Sequence, residues 1–136
     1  MKRKASARWT GSGKEGKGTV ATQSTVLQDT QYSYKSRYEE GIGTNPEELV
    51  GAALAGCFSM KLAFNFQEAG ITPDSIDTDA AVTFENGSIP EIQLTTRVKA
   101  DGLEQEKLQE LANHAKENCP ISKLLNTKIN LQAELG

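Results

Sequence analysis

Cys57 and Cys119 are the only two cysteines in a chain of 136 residues, and each has neighbours suited to thiol chemistry. Cys57 lies within the small-residue apolar run Glu48-Leu-Val-Gly-Ala-Ala-Leu-Ala-Gly-Cys57-Phe-Ser-Met60. Cys119 directly precedes Pro120 where a short helix is expected to begin. Two thiols in a small protein are inert packing, metal ligands or a redox couple. A free Cys alone reads as a small buried hydrophobe. Zinc on Cys57, Cys119 and His114 lacks the closely spaced ligand pairs usual for that metal. The surroundings favour a redox couple, because a thiol turns nucleophilic where cations or a helix amino-terminus stabilise its thiolate. Cys119 sits at such an N-cap, near free N–H groups. Cys57 falls deep inside a helix and needs an external cation. Arg37 is the candidate, and Glu47, expected to be exposed in the first turn of that helix, is the carboxylate that would hold it.

The elements around these residues are legible. Asn45-Pro46-Glu47-Glu48 is a strong helix start, with Asn as N-cap, Pro at the first helical position and Glu at the third. This helix is expected to run to Ala69 and stop at Gly70, about 36 Å at the usual rise. Ala7-Arg-Trp9 suggests an edge strand, Gly11 to Gly18 a hairpin loop and Gly18 to Thr25 a strand. Tyr32-Ser-Tyr-Lys-Ser-Arg-Tyr38 alternates and is expected to be another strand, its tyrosines facing a core. Ile76–Glu85 and Glu91–Lys99 flank Asn86-Gly87 and predict a hairpin. Leu103 to Glu117 has helical spacing with His114 toward solvent, Ile121 to Leu125 forms a last short helix, and Thr127 to Leu135 a final strand. Strands joined by hairpins imply antiparallel sheets, so the class is α+β in one domain, residues 1–136.

Composition narrows the function. At 24% charged residues and a net charge of −3, the chain lacks the positive field of a nucleic-acid binder or of a protein held on anionic membranes. The basic Met1-Lys-Arg-Lys start has no apolar segment behind it, and Leu49–Met60 is short for a bilayer span. A cytoplasmic location is expected. A disulfide there is transient and chemical, not a staple.

One geometric constraint bears on quaternary structure. Glu47 and Cys57 share a helix and lie about 15 Å apart along its axis, so no single arginine reaches both in one chain. In an antiparallel pair of such helices, Glu47 of one chain comes level with Cys57 of the other. Gly51, Ala52, Ala55 and Gly56 offer a small surface for that approach, which predicts a two-fold dimer.

Gly43-Thr-Asn-Pro-Glu-Glu-Leu-Val-Gly-Ala-Ala-Leu-Ala-Gly-Cys57-Phe-Ser, together with Asn118-Cys119-Pro-Ile-Ser122, resembles the OsmC/Ohr family of organic hydroperoxide reductases. Ser36-Arg37-Tyr38-Glu39 is similar to the OsmC (osmotically inducible protein C) branch. The resemblance spans essentially the whole chain. It implies an intertwined α+β homodimer with antiparallel sheets wrapped around long central helices. It implies a cysteine-based peroxidase, with Cys57 peroxidatic, Cys119 resolving through a Cys57–Cys119 disulfide, and Arg37 and Glu47 as a supporting ion pair. Bulky organic hydroperoxides would be the substrate, a dithiol such as a dihydrolipoyl group on a lipoylated protein the reductant, and neither metal nor cofactor would take part. Leu54 departs from relatives with His there, and Leu54, Phe58 and Met60 are candidates to line a pocket for apolar substrates. The competing view is a non-enzymatic stress-response or small-molecule-binding dimer with two inert cysteines.

Overall fold

Backbone capping and apolar periodicity divide residues 1–136, all described in a computed structural model, into six strands and four helices. In chain order these are β1 (Ala5–Thr10), β2 (Lys17–Thr22), β3 (Thr30–Tyr32), α1 (Tyr34–Tyr38), α2 (Pro46–Glu68), β4 (Ser75–Val82), β5 (Glu91–Lys99), α3 (Gln105–Asn118), α4 (Pro120–Leu124) and β6 (Lys128–Leu135). Two compact units result, Met1–Leu49 and Val50–Gly136. The α+β class is as expected.

The first unit is an antiparallel sheet ordered β1-β2-β3, followed by α1 and the first turn of α2. Gly18 is the buried point of β2, because a Cβ there would meet the Tyr32 and Trp9 rings at 2.5 and 2.6 Å. The expected strand over 32–38 is a correction: pairing ends at Tyr32 and a helix begins at once. Ser33 and Ser36 cap each other, with Ser36 N–H donating to Ser33 Oγ at 3.2 Å and Ser33 N–H to Ser36 Oγ at 2.8 Å. That reciprocal cap outweighs the period-two pattern. It also stacks Tyr34 on Tyr38, four residues on, with ring centroids 4.7 Å apart. The tyrosines are not core; Tyr38 is exposed.

Helix α2 starts as its sequence dictates. Asn45 Oδ1 accepts from Glu48 N–H at 2.8 Å, whereas Glu48 Oε1 takes the Thr44 hydroxyl at 3.0 Å. The helix ends at Glu68, with Gly70 at φ +75° just beyond. At 23 residues it is long and apolar enough, by length and composition alone, to cross a membrane, a property it shares with core helices of soluble proteins. The shortness read from Leu49–Met60 thus does not hold for the helix as a whole.

In the second unit, Leu54, Phe58, Leu62 and Phe66 recur every four residues on α2 and are fully buried. They join Ile92, Leu94 and Val98 of β5 and Leu108, Ala112 and Ala115 of α3 in one core. The β4–β5 hairpin turns at Asn86 and Gly87, both with positive φ, as Asn-Gly predicts. β6 is a second correction: it runs parallel to β5, from Glu91↔Lys128 to Val98↔Leu135. The chain returns through α3 and α4 and not by a hairpin, and a helical crossover allows a parallel neighbour.

Candidate active site

Cys57 occupies the middle of α2, at the border between its buried and exposed faces. Cys119 ends α3, its N–H donating to Ala115 O at 2.9 Å, and is at once the N-cap of α4. Pro120 explains the break, since the residue before proline is driven out of the helical region. Cys119 accordingly adopts φ −63°, ψ 126°. The turn carries its side chain into the core, where it is fully buried. Both thiols are free, and their sulfurs, 62 residues apart in sequence, stand 2.6 Å apart. A small movement separates them from the roughly 2.05 Å of an S–S bond.

Two polar ties that the sequence did not disclose fix the rotation of α2. Ser59 Oγ donates to Thr78 Oγ1 at 2.8 Å, and Thr78 meets the fully buried Thr96 hydroxyl at 2.9 Å. Farther along, the Asn65 amide donates to Leu111 O at 3.0 Å and to His114 Nδ1 at 3.1 Å. Hydroxyl-rich strands and an Asn within an apolar helix were the available signals, because buried polar groups must find partners. His114 is exposed, as expected, and meets α2 about 12 Å along the axis from Cys57.

The electrostatics of the pair follow from where each sulfur sits on its helix. Burial pushes the Cys57 thiol up, and its contact with Cys119 adds to this against a weaker pull from the Ile121 amide. Burial alone would also raise Cys119. The contact with Cys57, the backbone and hydroxyl of Ser122 and the Ile121 amide outweigh it, and the net direction is down. Within a single chain the ionised form is therefore favoured at Cys119 over Cys57. The cause is local: Cys57 is mid-helix, whereas Cys119 faces the first N–H groups of α4.

In the first unit, Arg37 lies on α1, not on a strand. Its Nε and Nη2 donate to Glu47 Oε1 at 3.1 and 2.9 Å. Glu47 is buried rather than exposed, and this hydrogen bond chiefly holds Arg37 above its ordinary pKa. Asn45 connects the partners: while its Oδ1 caps α2, its Nδ2 donates to Ser36 O of α1 at 3.0 Å. Beside Arg37, Trp9, Tyr32, Tyr34 and Tyr38 line a cavity of about 450 Å³. The structure thus joins Arg37 to Glu47 in one unit and Cys57 to Cys119 in the other. Leu54 and Phe58 belong to the core and Met60 is exposed, so these three do not form one pocket. Of the expected small surface, Gly51 is buried against Ala80 and Val82, Ala55 is half-buried, and Ala52 and Gly56 are exposed.

Comparison with known proteins matches this chain to the family described as OsmC-like protein, over residues 39–134. Peroxiredoxin OsmC of Escherichia coli (strain K12) is 42% identical over 137 residues, covering 98% of this chain and 96% of the relative. The crystal structure of the organic hydroperoxide resistance protein OhrB of Bacillus subtilis superposes with a TM-score of 0.68 at 30% identity, covering 100% of this chain and 98% of that one. An OsmC-like protein from Mycoplasma pneumoniae has the same fold, with a TM-score of 0.79 at 14% identity over 99% of this chain and 97% of that one.

Proposed function

The chain belongs to the OsmC-like protein family, and on that premise we propose that it is a thiol-dependent peroxidase reducing organic hydroperoxides to alcohols. The observation that carries this reading is the 2.6 Å approach of the sulfurs of the only two cysteines in the protein. The Cys57 thiolate attacks the distal peroxide oxygen, the O–O bond breaks, and the alkoxide leaves as alcohol after taking a proton. Cys57 is left as a sulfenic acid. The Cys119 thiolate displaces its oxygen as hydroxide, which becomes water, and a Cys57–Cys119 disulfide forms. A dithiol, of the dihydrolipoyl kind, reopens it by exchange.

The Arg37–Glu47 pair supplies what Cys57 lacks within its own chain. In a homodimer with antiparallel α2 helices, Arg37 of one subunit comes level with Cys57 of the partner subunit. There it lowers the thiol pKa and holds the peroxide oxygens. Support comes from an exposed apolar stripe on α2, where Ala52, Ala53 and Gly56 lead to Met60 and Phe64, 65% and 53% exposed. A dimer is expected by light scattering; a monomer at micromolar concentration would contradict this arrangement. Residues 1–136 act as one OsmC-like domain in the cytoplasm, and the aromatic cavity beside Arg37 suits the apolar part of a bulky hydroperoxide.

Steady-state turnover with dihydrolipoamide as donor tests the proposal. Cumene hydroperoxide is expected to be reduced with a clearly higher kcat/KM than hydrogen peroxide. No turnover of either peroxide would favour a binding protein with inert cysteines.

A further inference from the structure

Ser122, whose backbone and hydroxyl lower the Cys119 thiol, has been given no step in the reaction so far. It stands at the third position of α4, three residues after Cys119, the spacing at which an N-cap and a third-position side chain meet. Its Oγ is shut off from solvent and has no hydrogen-bond partner. A buried hydroxyl left unpaired is destabilising, so it demands an explanation. The acceptor within its electrostatic reach is the sulfur of Cys119. A neutral thiol is a weak acceptor, whereas a thiolate accepts a charge-assisted hydrogen bond.

We propose that Ser122 is a positioning residue for the resolving step, its hydroxyl turning to donate to the Cys119 thiolate and holding that sulfur charged and aimed at Cys57. This inference rests on the peroxidase reading above and deepens it. The donor favours the charged form of Cys119 that the resolving step needs. Once Cys57 carries its sulfenic acid, the Cys119 sulfur spends its lone pair on the new S–S bond. The S–O bond breaks, hydroxide leaves and is protonated to water, Cys57 is reduced and Cys119 oxidised. As the thiolate charge disappears the Ser122 hydrogen bond weakens, so it favours the reactant thiolate without anchoring the disulfide. The Ile121 amide lies near both sulfurs and lowers both thiols, so it does not discriminate between them. Ser122 acts on Cys119 and adds to an asymmetry that the contact between the two sulfurs already sets.

Two measurements test this. The first needs no peroxide: in a Cys57→Ala background, ultraviolet thiolate absorbance follows Cys119 alone through its titration. Ser122→Ala is expected to move the midpoint to higher pH and Ser122→Thr, which keeps the hydroxyl, to restore it. An unchanged midpoint overturns the proposal. The second uses the otherwise unmodified protein, treated with one equivalent of cumene hydroperoxide in the presence of dimedone. At neutral pH, Ser122→Ala is expected to slow disulfide formation about tenfold, a hydrogen bond to a charged group being the loss. The dimedone-trapped fraction rises accordingly, and the difference vanishes at alkaline pH where Cys119 is charged without help. A defect equal at every pH indicates displaced packing and overturns the proposal. Failure of the unsubstituted protein to form any disulfide would instead refute the peroxidase reading, while the titration still judges Ser122.

Discussion

Cys57→Ser is expected to lower organic-peroxide turnover by at least about 10³-fold, because a hydroxyl is not appreciably ionised near neutral pH and the nucleophile is lost outright. The fold has little reason to respond. Cys57 is only half-buried, Ser is smaller and helix-compatible, and the core of α2 rests on Leu54, Phe58, Leu62 and Phe66. Circular dichroism and the thermal midpoint should therefore stay close to those of the unsubstituted chain while activity disappears. Full activity in this variant would remove Cys57 from the mechanism. Activity lost together with the fold would make the comparison structural, and Cys57→Ala then serves as the second variant, smaller still and the strongest helix former.

Cys119→Ser is expected to separate the two halves of the reaction. One equivalent of peroxide is consumed per chain at an undiminished first-turnover rate, and catalytic turnover then stalls. With no second sulfur within reach, the Cys57 sulfenic acid persists, adding about 16 Da, and excess peroxide carries it to the sulfinic state at about 32 Da. Dimedone should trap the first product quantitatively. In the unsubstituted protein, whose sulfurs stand 2.6 Å apart, the disulfide is expected to form before a second peroxide arrives. Sustained dihydrolipoamide-dependent turnover in Cys119→Ser would mean that the reductant attacks the sulfenic acid directly and that Cys119 is not required.

How far the sequence reaches depends on whether a feature is local. The start of α2 was legible because Asn45 and Pro46 act on their own neighbours, and the β4–β5 hairpin because Asn86-Gly87 sets its turn. Residues 32–38 were misread for an equally local reason. Alternating Tyr and polar residues match a strand, but Ser33 and Ser36 form a cap that a search for Glu or Gln at the third position passes over. The direction of β6 was not legible, since a strand's alternation shows which face is buried and says nothing about its neighbour's polarity. The exposure assigned to Glu47 failed because its partner arrives from α1 through the second hydrogen bond of Asn45.

The candidate site divides in the same way. The residue types that mark Cys57, Cys119, Arg37 and Glu47 can be read in one dimension. The N-cap place of Cys119 can be read there too, whereas the mutual contact of the sulfurs and the Ser122 hydroxyl, which also set the balance of charge, cannot. The difference has a consequence for the assembly. A lone chain leaves its mid-helix thiol raised by burial, so a cation brought to Cys57 across a dimer becomes the natural means of making it the attacking sulfur.

The central claim is that the two sulfurs are oxidised together, within one chain, by a single peroxide. Mass spectrometry under non-reducing conditions, with thiol counting before and after one equivalent of cumene hydroperoxide, tests it directly. Both thiols are expected to vanish and the chain mass to fall by about 2 Da, with a peptide cross-link joining Cys57 to Cys119. Two thiols remaining at unchanged mass, or a cross-link found only between separate chains, would contradict it.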